Sequence, residues 1–544
     1  MVKKNRNKQA LIEEIAKQRN INLLKEKLKL TRKYVDNLLS GSLGNVVFIS
    51  VSNGVERAIV RHEKGCNFIE AWNRTQASIE NYIRTKNYKP EWVKIDFVVE
   101  QESVPTKLLK KQIRQCEKGF FRKGIALDED FQVAYLECEL NSRRMIDYKK
   151  GEILIDQLST KQEEVIVFNH KGFFCDENNE VYELHCEEKN FGRRIQNDLD
   201  SCNIYNVIQQ TSLFLVGLQQ SNGAFIYGYW PIQDKIISSY NILRHIGTVW
   251  GLISSYKITG DKSVLKTIYK GIHYALEHAI VYKTKEIAYI IERKNNELKL
   301  GGNGIMLLAL IDSKELFPDE DYIDLMRALG NGILTYLDSE TGHYNHVFNY
   351  PDYSIKDEFR TIYYDGEATF ALLKLYNLTK EDKWLYAAKK AVENFIKQDY
   401  TKYRDHWIAY SMNELIKCCP EGDYIEFTLR NLNVNLDKIN NHPTIYATYL
   451  ELLMATYSAY QNICSTYKSE VFLDIEQEKY FYSTIENRVS RMLNGYYYPE
   501  YAMYMKKPSK IHKSIFIRND KMRVRIDDIQ HFLGGYCQFY LGYK

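Results

Sequence analysis

Six short stretches of the chain gather side chains that can move protons or hold anions. They are YNILRHIG (240–247), GGNGIM (301–306), YYDGEATF (363–370), RDHWIAY (404–410), the segment around His442 and Pro443, and RIDDIQHFLGG (525–535). Carboxylates such as Asp365 and Glu367 can act as acid or base when their surroundings separate their pKa values. His245, His406 and His531 titrate near neutral pH. Arg244 carries a planar fork suited to two hydrogen bonds with a carboxylate or phosphate. Residue type therefore assigns His245, Asp365 and Glu367 to proton transfer. Arg244, Tyr227, Trp230, Tyr364, Asn303, His406 and His531 are assigned to substrate binding. Tyr229, Tyr344 and Tyr363 extend the aromatic walls on which a sugar ring could stack, although 43 tyrosines in the chain dilute the weight of any one.

Each of these groups also has a plainer reading. Asp365, Asp405 and Asp528 stand where helix N-caps stand, and Glu367 suits the positive end of a helix dipole. Arg244 and His245 are adjacent, so a helix points them in different directions. His531 lies one turn after Asp528, a spacing that also fits a structural hydrogen bond, and His442 before Pro443 fits a turn. GGNG (301–304) could cradle an anion at a helix start, but it lacks the Lys-Ser/Thr of a P-loop and any βαβ setting.

The elements that must position these groups are helices. From about residue 203, apolar periodicity predicts twelve, over 203–220, 241–257, 262–280, 302–314, 321–338, 364–378, 382–397, 405–417, 422–434, 443–463, 474–494 and 527–541. An internal repeat supports this count. SSYKITGDKSVL (254–265) resembles KLYNLTKEDKWL (374–385), which pairs Tyr256 with Tyr376. A Gly-aromatic loop recurs as NGAFIYGYW (222–230), TGHYNHVFNY (341–350) and NGYYYPEY (494–501). Units that cannot bury their own faces must stack into an array.

In helix count and loop style, residues 203–541 resemble the six-hairpin (α/α)6 toroids, which include glycoside hydrolases, uronate-handling enzymes and N-acylglucosamine-type epimerases. The resemblance is architectural and carries no residue over. It implies a ring in which the second helix of each pair lines the inside, and the six stretches above then fall at or near inner-helix starts. With Tyr256 paired to Tyr376, Arg244 and His245 align with Tyr364 and Asp365.

The first 200 residues read differently. A basic helical arm (1–40) holds eleven Lys/Arg against three Glu over residues 1–33. It reads as a solvated helix or as a contact for a partner protein or an anionic membrane surface. Strand-type runs follow at 45–52, 56–63, 91–100, 131–140, 163–175 and 180–187, with a helix at 68–87. The expected fold class is thus multidomain α+β: an arm, a mixed α+β domain over 41–200 and an all-α toroid over 201–544.

Composition narrows the function. With 74 Lys+Arg against 70 Asp+Glu the chain is near charge balance, so no nucleic-acid partner is expected. No apolar run reaches the roughly 20 residues of a membrane span, and the basic start meets Glu13 and Glu14 too soon for a secretory signal. Ten cysteines without a CxxC read as reduced cytosolic thiols, which places the chain in the cytoplasm or at a membrane periphery. HExxH, GxSxG and kinase signatures are absent, and the helical cysteines lack neighbouring histidines, so no metal or other cofactor is expected. The resemblance to the toroids, together with the polar groups at equivalent inner-helix starts, implies a carbohydrate-active enzyme working on an acidic or amino-sugar saccharide or glycoconjugate, by hydrolysis, elimination or epimerisation. The alternatives are a non-catalytic glycan- or peptide-binding assembly module, or a metal-independent peptide-maturation enzyme.

Overall fold

The computed structural model describes residues 2–38, 44–116, 120–155, 163–186, 189–468 and 472–543. The expected boundary at 40/41 and the last residue of the 180–187 segment lie outside them. The chain forms two compact units, one of Met1–Asn197, Tyr229–Lys235 and Tyr496–Arg523, the other of Asp198–Gly228, Ile236–Gly495 and Val524–Lys544.

The first unit is built on a seven-stranded sheet. Its strands are β1 (Val46–Ser52), β2 (Ile59–Lys64), β3 (Trp92–Pro105), β4 (Gly124–Ala126), β5 (Ala134–Tyr135), β8 (Glu164–Cys175) and β9 (Val181–Glu183). They run in the order β2-β1-β3-β8-β4-β5, with β9 also paired to β8, while β6 (Ile146–Asp147) and β7 (Glu152–Ile153) form a separate hairpin. Successive side chains of a strand point to opposite faces. Val47, Ile49 and Val51 of β1 accordingly meet Val93, Ile95 and Phe97 in one apolar core. That core is covered by α1 (Val2–Leu38) and α2 (Phe68–Lys86), through Ile21, Leu24, Leu28 and Val35 from α1 and Ala71, Trp72, Ile79 and Ile83 from α2. From Ile21 onward the basic helix is therefore part of the core.

Residues 131–140, expected as a strand, hold only the two residues of β5 before a short helix α4 (Glu137–Ser142) begins. The cause is local: Phe131 takes a left-handed backbone (φ 55°), and the Asp128 carboxylate accepts from the Gln132 amide. Helix α3 (Thr106–Gln115) was not expected at all.

The second unit holds all twelve helices expected from the sequence. The outer ones are α5 (Ser201–Leu218), α7 (Lys262–Ala279), α9 (Ile323–Leu334), α11 (Asp382–Lys397), α13 (Gly422–Asn440) and α15 (Ile475–Met492). The inner ones are α6 (Ile242–Thr259), α8 (Leu300–Ser313), α10 (Tyr364–Thr379), α12 (His406–Cys418), α14 (Thr448–Thr466) and α16 (Ile526–Gly542). Each inner helix packs on the next, and α16 packs back onto α6, so the array closes into an (α/α)6 toroid. Closure dictates composition. Between Leu300 and Leu310 every residue of α8 is buried, whereas α11 buries one face and exposes lysines on the other.

The internal repeat is a repeated helix ending. Gly260 donates its backbone N–H to Tyr256 O, and Lys380 donates to Tyr376 O, both at 2.8 Å and both from a left-handed residue. The Gly-aromatic loops match in the same way. Gly223 (φ 94°) and Gly342 (φ 73°) lie where a Cβ would come 2.5 Å from Lys270 O and 2.1 Å from Lys390 O, each on the outer helix of the following hairpin. Only α14 starts well away from its expected position, at Thr448 rather than 443. The Arg488 guanidinium collects the carbonyls of His442, Thr444, Ile445 and Tyr446, and this holds the preceding segment out of the helix.

Candidate functional site

Glu367 sits in the first turn of α10 and is 5% exposed. Room for its carboxyl comes from α8, because a Cβ on Gly301 would lie 1.9 Å from Glu367 Oε2. GGNG is thus helix–helix packing inside α8 rather than an anion cradle at a loop. Its Asn303 is fully buried: it accepts from the Ile290 amide and donates to Ala288 O (both 2.9 Å) and Leu329 O. That amide is spent on holding α8 to its neighbours, so the structure gives it no route to a substrate. Glu367 Oε2, by contrast, has no hydrogen-bond partner. Burial pushes this carboxyl up to about 8, and His531 opposes the rise only in part. It is a carboxylic acid at neutral pH.

The neighbouring wall comes from α12, α14 and α16. Asp405 caps α12, with one oxygen accepting from the Trp407 amide at 2.9 Å, while its Oδ2 has no partner. Burial and then Glu367 and Asp365 raise its pKa well above the usual carboxylate range. His406 is fully buried, neither of its ring nitrogens is hydrogen-bonded, and burial holds it neutral. Its Nε2 stands 3.7 Å from Glu451 Oε2, and the same oxygen is 2.8 Å from His531 Nδ1. Glu451 Oε1 accepts from Tyr410 OH at 3.0 Å. Gly534 of α16 makes space for this carboxylate, since a Cβ there would lie 2.2 Å from Oε1. Glu451 and Asp405 are the members of this wall that residue type alone did not assign. Glu451 falls on the first turn of α14 only because that helix starts at Thr448.

In the first turn of α6, Arg244 Nε pairs with Asp527 Oδ2 at 2.9 Å and its guanidinium also donates to Tyr227 OH. Its charge is therefore already balanced by a carboxylate. Arg360 makes a two-pronged pair with Glu297 (2.8 and 3.1 Å), and Arg360 and Lys356 hold that carboxyl down at about 2 against the effect of burial. Tyr364 is half-buried beside His346, with ring centroids 5.5 Å apart.

Two of the residues expected to move protons are engaged elsewhere. Asp365 has both oxygens bonded, one to His346 Nε2 at 2.6 Å and one to Tyr400 OH at 2.8 Å. His346 Nδ1 in turn accepts from the Arg360 amide, so Asp365 positions the loop that carries Arg360. His245 is fully buried between α6 and α7. Tyr240 OH meets its Nδ1 at 2.7 Å, Gly271 O meets its Nε2 at 2.9 Å, and burial lowers its pKa to about 4. Both ring nitrogens are bonded within the fold, to Tyr240 and to the backbone of α7. Trp230 belongs to the first unit, where Lys521 lies over its ring at 5.7 Å. Glu367, His406 and His531 are the expected residues that come together on adjoining inner helices.

No protein-family model matches the sequence, and a search of curated protein sequences finds no relative. Solved structures with a similar course include a D-mannose isomerase (12% identity, TM-score 0.48, 64% of this chain and 100% of that one). A cellobiose 2-epimerase from Spirochaeta thermophila matches at 11% identity and TM-score 0.44, over 62% of this chain and 97% of its own. An unsaturated glucuronyl hydrolase from Bacillus sp. GL1 matches at 12% identity and TM-score 0.45, over 62% and 97%.

Proposed function

We propose that the chain is a carbohydrate-active enzyme that acts on an acidic or amino-sugar saccharide or glycoconjugate by acid–base chemistry, with Glu367 as the group that carries the proton. One observation bears most of this reading: the Glu367 carboxyl is buried, has an oxygen with no partner and is held near pKa 8. A structural carboxyl in such a place would be bonded, as Asp365 is. A general acid instead keeps its proton at working pH and its oxygen free for a substrate. Arg244 is held by Asp527 and Arg360 by Glu297, so an anionic substituent would bind there by displacing one of these carboxylates. Tyr363 and Tyr364 at the start of α10, one turn before Glu367, suit the faces of a pyranose ring.

The test is a thermal-shift screen of the full chain against uronates, amino sugars, nucleotide sugars and short oligosaccharides, followed by turnover assays on each stabilising compound. A ligand at 100 times its dissociation constant stabilises the folded state by about 2.7 kcal/mol, enough to be read directly. The expected result is a saccharide that shifts both wild type and Glu367→Gln but is turned over only by wild type. If no saccharide shifts the melting temperature, the reading fails. Turnover that survives Glu367→Gln would remove Glu367 from the chemistry.

A further inference from the structure

We propose that His406, Glu451 and His531 form a binding site for one divalent transition-metal ion of the zinc class. Each residue offers one ligand atom, and the three atoms lie within 4.8 Å of one another. Ligands arranged tetrahedrally at roughly 2.1 Å from zinc stand about 3.4 Å apart. The separations of 2.8 Å (His531 Nδ1 to Glu451 Oε2) and 3.7 Å (His406 Nε2 to Glu451 Oε2) bracket that value.

The independent observation is His406. A fully buried imidazole with neither nitrogen hydrogen-bonded sits at a cost of about 1–3 kcal/mol for each polar atom left without a partner. An ion on Nε2 removes that cost. It also explains the groups behind the ligands. His406 Nδ1 lies 3.5 Å from Asp405 Oδ1 without a hydrogen bond, close enough for that oxygen to orient the ring once an ion fixes Nε2. Glu451 is held through its other oxygen by Tyr410 OH, which Gln538 also contacts. The three ligands come from three rigid inner helices, α12, α14 and α16, rather than from loops. Two imidazoles and one carboxylate form a set that leaves coordination positions open to a substrate oxygen or water.

The ion's role rests on the saccharide reading, although its site does not. There, the ion would polarise a sugar hydroxyl or carbonyl oxygen as a Lewis acid while Glu367 moves the proton.

Stripping the full-length chain with a chelator and titrating it with Co2+ tests the site without any activity assay. The expected result is one tightly bound ion per chain, a visible ligand-field absorption, displacement by Zn2+, and an affinity at least about 100-fold weaker in Glu451→Gln and in His531→Asn. Glu367→Gln should bind as wild type does. Equal binding by wild type and both variants would place the ion away from the trio and overturn the proposal. The wild type supplies a readout that no variant's folding can obscure: Zn2+ should raise the melting temperature of the stripped chain, and no rise would overturn the site. Metal bound at the trio with no saccharide response would sink the functional reading alone. Saccharide turnover by a chain that binds no metal would sink the metal site alone.

Discussion

The two units each bury a histidine among carboxylates, and they treat it in opposite ways. In the first unit, alternate residues of the sheet place Lys94, Asp96 and His170 on the face away from α1 and α2. His170 bonds Asp96 Oδ1 at 3.0 Å through Nδ1 and Glu137 Oε2 at 2.6 Å through Nε2, while Lys94 reaches Asp96 at 3.0 Å. Two cations face two anions. Burial alone would lower the His170 pKa, but Glu137 and then Asp96 raise it to about 9. In the toroid, His406 is as deeply buried, has no hydrogen bond and stays neutral. The contrast lies in the imidazoles: both His170 nitrogens are bonded, although Asp96 Oδ2 beside them has no partner, whereas neither His406 nitrogen is. The bonded histidine is therefore read as stability and the unbonded one as function.

That contrast can be broken in four ways, from the largest effect to the smallest. Glu367→Gln should lower kcat by about a thousandfold, within the usual range for removing a general acid. Its melting temperature should stay unchanged or rise, because an amide takes the place of an unpartnered acid. A variant that lost stability instead would make Glu367 structural.

His170→Gln should cost about 3–5 kcal/mol in denaturant unfolding, because it leaves buried carboxylates short of a cation. His406→Gln, the same chemical change in metal-free protein, should cost only about 1 kcal/mol, since no hydrogen bond is broken. Equal costs would erase the distinction between the clusters.

The pH dependence gives the smallest and sharpest reading. The folded-state pKa of His170 is raised above its ordinary 6.5, so its contribution to stability is fully present below 6.5 and is lost as pH rises through about 9. Glu367 is raised from 4.5, so stability linked to it is present below about 4.5 and declines as pH rises through about 8. Melting temperature followed from pH 5 to pH 9.5 should therefore fall. Glu367→Gln should flatten the decline between about pH 5 and 8, and His170→Gln the decline between about 6.5 and 9. Identical profiles in wild type and both variants would contradict the two shifts.

Much of the toroid is legible in the sequence because its signals are local. Helix periodicity, Gly stops and the Tyr256/Tyr376 repeat all act within a few residues, and all twelve helices follow from them. The site is legible only by type. Glu367, Asp365 and His245 look alike as candidates, and what separates them is a partner distant in sequence: Tyr400 for Asp365, Gly271 for His245 and none for Glu367 Oε2. Glu451 was hidden by a helix start misplaced by five residues, which hinged on the remote Arg488. In the first unit, the His170 network depends on strand register and on a short helix that breaks an expected strand, so nothing local announces it.

The closing contact of the ring also sets an order of assembly. Glu451 and His531 are separated by 80 residues, and α16 fills the gap between α14 and α6. As the chain leaves the ribosome, five inner helices must wait, with the apolar flanks of the first and fifth uncovered, for the sixth to be made. Such long-range contacts are slow to form and leave surface open to aggregation in the meantime. The candidate site is thus finished by the same event that seals the ring, and a chain stalled before α16 would carry neither.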